Sequence, residues 1–595
     1  MNNCECESAA LLRENFRVAV ADECFKYIPS RWDPYVSADK LPKELSFVSP
    51  RGTTASFQFA VEADRAFILD VGKSGWFDQS DRKPIVRADV RVSGPASLPV
   101  SLSVVGKVAA ERGKPVNDVL LSAQTFAAKA DEPVFVFVTA EVSGDAPAGD
   151  YEFEIRLFRK TILSDEEALP CSAKVRLRVY SYTLPPVHDR RFYLDLWQHN
   201  SNIARYHETE LYSDAHFDII RKYLKTLADL GQRAATLIVT DIPWKGQGCY
   251  IEPCVSANLF EYSIVPITRA EDGSFRYDFT KMQRYIDLCA ELGIDREISL
   301  YGLCNIWKDN ADYGPLAPDY PDALRVRYYD EASGTYKYMR CAADIDAYIR
   351  ALHDYFITTG QIDRVRVAAD EPADIEAYRA SLGHLSAIAP RFRFKAAINH
   401  SEFIGEFGKE VDDYAPHING LCREYDKLLE YKNTLSGKRF LWYICCGPTY
   451  PNTFLQSPLT ESYVVGLFNA LAGFDGLLRW AYTCWTEEPR SPEESRAVYP
   501  AWQSGDTHFV YPSRGGAPLL SLRYMALKKG IELYELIEEV RARGKNDVAE
   551  AVLRSIFRIE SVREYSEGKP RDELWSSDYS DFNEAERMLC EALSE

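Results

Sequence analysis

Four carboxylates follow runs of strand-like sequence, Asp195, Asp241, Asp370 and Glu371, and only the last two are adjacent. In RVRVAADE, residues 364–371, valines alternate, two alanines follow and the acids close the run, with Pro372 placed to open the next helix where proline is tolerated. Neighbouring acids repel, so one can be held protonated near neutral pH as a proton donor while the other stays anionic. The plainer reading is that Glu371 and Asp374 only complement the dipole at a helix N-terminus. The Cα atoms of the adjacent Asp370 and Glu371 are about 3.8 Å apart, which does not suit carboxylates that must leave room for a water at about 6.5–9.5 Å separation. The pair suits a substrate that brings its own nucleophile. The carbonyl oxygen of a 2-acetamido group would attack the anomeric carbon, one acid orienting the amide and the other protonating the leaving oxygen.

Other chemistries find less support. His207 opens His-Glu-Thr-Glu-Leu rather than His-Glu-x-x-His, and no pair of Cys-x-x-Cys motifs occurs, so no metal is expected. No Gly-x-Gly-x-x-Gly or Walker loop is present, so no cofactor is expected either. The chain has 595 residues, 70 Lys and Arg against 89 Asp and Glu, and a net charge of −19, which argues against nucleic acid as a partner. Fourteen cysteines, Cys445 and Cys446 side by side among them, are too sparse for a disulfide scaffold and read as thiols. No run approaches the roughly 18 apolar residues of a membrane helix. The opening MNNCECESAALLRENF lacks the basic start and apolar core of a signal peptide, so a cytoplasmic location is expected.

The elements that must carry the acids fall into two rhythms. From about residue 16 to 182, short alternating runs such as TASFQFAVEA, PVFVFVTAEV and YEFEIRLF are separated by Gly, Pro, Asp and Ser, the pattern of a β-sandwich. Leu184-Pro185-Pro186 then stiffens the chain and marks a boundary. Beyond it, strand and amphipathic helix alternate. Eight strand-like runs are RRFYLDLW, AATLIVTD, REISLYGL, RVRVAADE, FRFKAAIN, INGLC, FLWYICC and GLLRWAY, and helices stop at Gly231, Gly293, Gly360 and Gly473. The expected fold is therefore multidomain. A β-sandwich spans 1–185, a (β/α)8 TIM-type barrel of the α/β class spans 186–512, and a mainly helical C-terminal extension packed on the barrel spans 513–595. Barrel chemistry sits at the C-terminal ends of the strands. Trp197, Trp244, Trp480, Tyr482 and Trp485 are candidates there for stacking on a sugar ring, Gln247 and Asn399 for polar contacts, and Tyr443 and Tyr301 for either the ligand or the barrel interior. Asp195 and Asp241 are read as binding hydroxyls or capping loops.

From about residue 190 to 534 the chain resembles the barrel glycosidases typified by bacterial β-N-acetylgalactosaminidases, glycoside hydrolase family 123. The resemblance rests on HFDIIRKYLKTLADLGQRAATLIVTDIPWKGQ, YDFTKMQRYIDLCAELGI, the strand-end Asp370-Glu371, GLLRWAYTCWTEEP and GDTHFVYP. It departs at Gly248-Cys249-Tyr250 after Gln247, and at His508, where relatives often carry an apolar residue. The resemblance implies a retaining exo-glycosidase for terminal β-linked N-acetylgalactosamine, working by substrate-assisted catalysis through an oxazolinium intermediate. Asp370 would orient the acetamido group, and Glu371 would act as acid and then base. The partner would be an oligosaccharide or glycoconjugate ending in β-N-acetylhexosamine, with a homodimer compatible. Two alternatives stay open: a retaining β-glycosidase with a covalent carboxylate nucleophile on a sugar without the acetamido group, and a carbohydrate-binding barrel without catalysis.

Overall fold

A computed structural model describes residues 15–29, 37–75, 84–160, 165–243, 260–304, 315–408, 410–485, 488–491 and 502–595. The N-terminal alternation produces strands with one buried face. In Gly149–Lys160, Tyr151, Phe153, Ile155 and Leu157 are buried while Glu152, Glu154 and Arg156 alternate with them toward solvent. The strands form a five-stranded sheet, with Thr53–Glu62 and Val134–Val142 inside it, and a six-stranded sheet, with Glu167–Thr183 and Gly149–Lys160 inside it. Their inward residues, Phe57, Val136, Phe153 and Val175 among them, meet in one core.

The second rhythm folds into eight parallel strands, numbered along the chain as β1 (Tyr193–Leu196), β2 (Ala234–Ile238), β3 (Glu297–Tyr301), β4 (Val365–Asp370), β5 (Arg393–Ile398), β6 (Asp413–Pro416), β7 (Arg439–Tyr443) and β8 (Gly476–Arg479). Each strand lies beside its neighbours in sequence, and β8 pairs with β1. The barrel is nearly closed: Leu194 of β1 forms an isolated parallel bridge with Gln232, just before β2, and the Arg233 amide donates to the Leu194 carbonyl at 2.9 Å. Where further ladder bonds are missing, the Gln232 side chain substitutes. Its Oε1 accepts from the Leu196 amide at 2.8 Å and its Nε2 donates to the Leu196 carbonyl at 3.1 Å.

One strand lies elsewhere than expected. INGLC is not the sixth strand; Ile418–Arg423 is a short helix, with His417 Nδ1 accepting from the Asn419 amide, and β6 is the preceding Asp413–Pro416. Its mixed composition, with an aspartate at the start and a proline at the end, hides the strand from periodicity.

Around the barrel, the helix Asp214–Leu230 starts on the Ser213 hydroxyl and stops at left-handed Gly231, and Leu459–Ala472 stops at Gly473. The long helix Leu522–Ala542 crosses Leu459–Ala472 at Gly466 and Gly530. A Cβ on Gly466 would lie 2.5 Å from the Gly530 carbonyl carbon, so the two backbones touch.

Candidate active site

The barrel interior is layered. Lower down, alternate strands contribute Asp195 (β1), Glu297 (β3), Lys395 (β5) and Arg439 (β7), the four-residue layer expected of such barrels but made of charges. Lys395 Nζ bonds Asp195 Oδ2 and lies 2.8 Å from Glu297 Oε1, while Arg439 Nη1 lies 2.6 Å from Glu297 Oε2 and 3.0 Å from Asp413 Oδ2. Burial works against the ionised Glu297 carboxyl, but Lys395 and Arg439 together hold it well below the usual range. Asp195 is thus a buried structural charge that does not line the cavity above it.

Above this layer the side chains become aromatic and small: Trp197, Tyr301, Tyr443 and Trp480 surround Ala368, Ala397 and Ala415. The difference in size leaves a cavity of about 330 Å³ at the C-terminal ends of the strands, lined by Trp197, Asp370, Glu371, Asn399, Tyr443 and Trp480, among others. Asp370 is the last residue of β4, in register with Ala397 of β5, and the Glu371 amide continues the ladder by donating to the Ala397 carbonyl at 3.0 Å. Both acids are half-buried. Glu371 has φ +47°, a left-handed conformation that costs a non-glycine residue about 1–3 kcal/mol and tends to persist at functional sites. Pro372 does not open the next helix, which begins at Ile375 with Asp374 Oδ1 capping the Ala377 amide at 2.9 Å.

Tyr443, at the end of β7, donates its hydroxyl to Glu371 Oε1. Burial first, and then the Glu371 carboxylate, push the phenol far above its usual range, so it remains a donor. Trp480 follows β8, with Nε1 3.3 Å from Asp506 Oδ2 and its ring 5.3 Å from that of Trp502. Asp506 also accepts from Arg479 Nη1 at 2.9 Å; burial nevertheless pushes its carboxyl up to about 6 against the pull of that guanidinium.

Of the residues expected at the site, Trp197, Asp370, Glu371, Asn399, Tyr443 and Trp480 come together at the cavity. Tyr482 and Trp485 do not line it. The inward alternation of Leu478 and Trp480 ends where the chain leaves the barrel, and Tyr482 instead bonds Thr226 Oγ1 at 2.7 Å while Trp485 Nε1 donates to the Val510 carbonyl at 2.8 Å. Asp241 is buried as a loop anchor, 2.9 Å from Arg327 Nε and accepting from the Ser263 amide at 2.9 Å. His508 is buried, and burial followed by the nearby Arg523 and Arg479 depresses its basicity strongly, in keeping with a structural place. Trp244 and Gln247 lie outside the described residues. Sequence reasoning missed His417, Cys445, Cys446 and Trp502, which also line the cavity. The cysteines directly follow β7, a positional signal that was available; His417 follows the strand that was misplaced.

The fold is thus a nearly closed parallel barrel with paired acids and tryptophans at the C-terminal ends of its strands. The family model for the catalytic domain of glycoside hydrolase 123 matches residues 197–540. The chain belongs to glycoside hydrolase family 123 and is therefore a glycosidase by family. Among solved structures it is similar to a family 123 glycoside hydrolase from Clostridium perfringens that acts on glycolipid glycans, with a TM-score of 0.73 at 14% identity, covering 98% of this chain and 97% of that one. An alpha-amylase from Geobacillus thermoleovorans matches with a TM-score of 0.30 at 10% identity, covering 58% of this chain and 79% of that one, too distant to carry an argument. No curated protein matches.

Proposed function

We propose that the chain removes terminal β-linked N-acetylgalactosamine from a glycolipid or other glycoconjugate, with retention of configuration, by substrate-assisted catalysis. The reading is carried by one observation: two adjacent, half-buried carboxylates stand at the mouth of a tryptophan-walled cavity whose volume, about 330 Å³, is at the lower end of the ~300–1,000 Å³ of small-ligand sites. That room fits one sugar with its substituent, which favours exo-action.

In this mechanism Asp370 accepts a hydrogen bond from the acetamido N–H and holds the amide so that its carbonyl oxygen attacks the anomeric carbon. Glu371, held by the Tyr443 hydroxyl, gives its proton to the departing glycosidic oxygen. The positive charge that develops on the closing ring is balanced by Asp370. Water then enters on the face vacated by the leaving group; Glu371 takes its proton, the amide is released, and two displacements leave the configuration retained. Trp197, Trp480 and Trp502 supply apolar faces, and Asn399 is exposed at the rim. A covalent carboxylate mechanism is less favoured, because Asp370 and Glu371 are the only carboxylates lining the cavity among the described residues. We retain within this proposal the division of the chain at about residues 185 and 512.

The test is hydrolysis of nitrophenyl β-N-acetylgalactosaminide beside its gluco epimer. Glu371→Gln is expected to lose about 10²–10⁴-fold in turnover on substrates with poor leaving groups, and a thiazoline analogue of the sugar to inhibit. A fully active Asp370→Ala, Glu371→Ala double variant would reject the reading.

A further inference from the structure

The cavity wall carries a further feature that glycoside hydrolysis does not use. Cys445 and Cys446 follow β7 and both line the cavity, with Sγ atoms 3.8 Å apart, Cys445 half-buried and Cys446 exposed. Their surroundings make them unequal. Hydrogen bonding between the thiols pushes Cys445 up, with burial adding to it, and the same bond draws Cys446 down. Cys446 is therefore the thiol that more readily supplies a thiolate, and it is also the one a solute reaches.

We propose that Cys445 and Cys446 form a dithiol modification site that takes two-electron oxidants of the peroxide class and closes to a vicinal disulfide. The Cys446 thiolate attacks one peroxide oxygen, the O–O bond breaks, and hydroxide leaves to be protonated to water. The resulting sulfenic acid is attacked by Cys445, which loses its proton as the S–S bond forms and a second water departs. Two thiols and one hydrogen peroxide thus give one disulfide and two waters, the two electrons passing from sulfur to oxygen.

Closure must move the wall. The planar peptide fixes the Cα atoms of adjacent residues at about 3.8 Å, short of the ~4.4–6.8 Å that a relaxed disulfide spans, so the sulfurs, now 3.8 Å apart, reach bonding distance only by twisting that peptide and both side chains. That stretch is tied on every side. The Cys445 amide donates to the Gly447 carbonyl at 3.0 Å, Asn452 Nδ2 donates to the Cys445 carbonyl at 3.0 Å, and His417 Nε2 lies 3.0 Å from the Gly447 carbonyl. Tyr443, which holds Glu371, is two residues upstream. Oxidation therefore disturbs both the cavity wall and the hydrogen bond that positions Glu371. The effect on turnover rests on the role proposed for Glu371; the cross-link itself does not.

The experiment treats the reduced full-length chain with hydrogen peroxide near stoichiometry, blocks remaining thiols with N-ethylmaleimide, and maps the peptide that contains both cysteines by mass spectrometry. The expected result is a loss of two hydrogens within that peptide without maleimide, reversed by dithiothreitol. Hydrolysis of nitrophenyl β-N-acetylgalactosaminide should fall by about tenfold or more in step with the cross-link and return on reduction. Cys446→Ser, compared with its own untreated rate, should keep its rate under peroxide. A Cys446 carried to sulfinic acid with no linked peptide overturns the proposal, and linked protein that turns over as fast as the dithiol form overturns the coupling of the cross-link to Glu371. Failure of the catalytic reading is seen separately, in a Glu371→Gln variant with both thiols reduced that keeps its full rate on a substrate with a poor leaving group.

Discussion

Glu371 is held by its neighbours in a backbone conformation that few glutamates adopt, and its carboxyl is aimed by the phenol of Tyr443. A hydrogen bond to a charged group is worth about 1.5–3 kcal/mol. Tyr443→Phe is therefore expected to lower kcat about 10–100-fold while KM changes less than about twofold, because the lost bond orients a proton donor rather than the sugar. Steady-state kinetics on the nitrophenyl substrate separates the two parameters, and an equal loss carried by KM alone would assign Tyr443 to sugar binding instead.

The strands owe their positions to the charged layer beneath the cavity. Lys395 lies between Asp195 and Glu297 with 1% of its side chain exposed, and the two carboxylates are as deeply buried. Removing one partner strands the others in a medium that cannot solvate them. Lys395→Met should destabilise the fold by about 3–5 kcal/mol, read from urea unfolding, and combining it with Asp195→Asn should recover part of the loss. A single variant as stable as the parent would mean that water reaches the layer. The charges occupy alternate strands because inward positions recur every second strand at one height. Hydropathy hides this, since each charge sits in an otherwise apolar run.

At the scale of the whole molecule, the C-terminal segment ties the sheets to the barrel. Arg523 bonds Asp118 Oδ2 in the N-terminal sheet at 3.0 Å and donates to the carbonyls of Thr453 at 3.0 Å, Gly505 at 2.8 Å and His508 at 2.9 Å. Lys529 of the long helix meets Glu586 of the last helix, Tyr579–Ser594, at 2.7 Å, with Glu23 of the N-terminal region close enough to raise the Glu586 carboxyl further. Burial pushes Glu586 up to about 7, opposed by Lys529. The folded chain then binds this proton more tightly than the unfolded chain does, so its stabilising contribution is complete below the unfolded pKa near 4.5 and is lost as pH rises through about 7. The stability difference between the parent and Glu586→Gln should decline by roughly 3 kcal/mol from pH 4.5 to 8, measured by chemical unfolding across that range. A difference independent of pH would show that Glu586 ionises normally. Among the described residues, no helix is long and apolar enough to cross a membrane.

Most of the strand and helix order and the acid pair at the end of β4 were legible in the sequence because each is local: an alternation, a glycine stop, two adjacent letters. Seven of the eight barrel strands follow from such patterns, and the eighth escaped because Asp413–Pro416 is too short and too mixed to show a period. What only the tertiary structure decided is which strand-end residues share the cavity. Trp480 faces it and Tyr482, two residues later, does not, since the chain leaves the barrel between them. Asp195 reads like Asp370 in sequence, yet lies a layer lower, matched by a lysine 200 residues away. Trp502 and Cys446 meet at one cavity from distant stretches of chain. Such neighbours are set by the tilt and closure of the barrel, and no local pattern encodes a distance between segments that meet only after the sheet has curled.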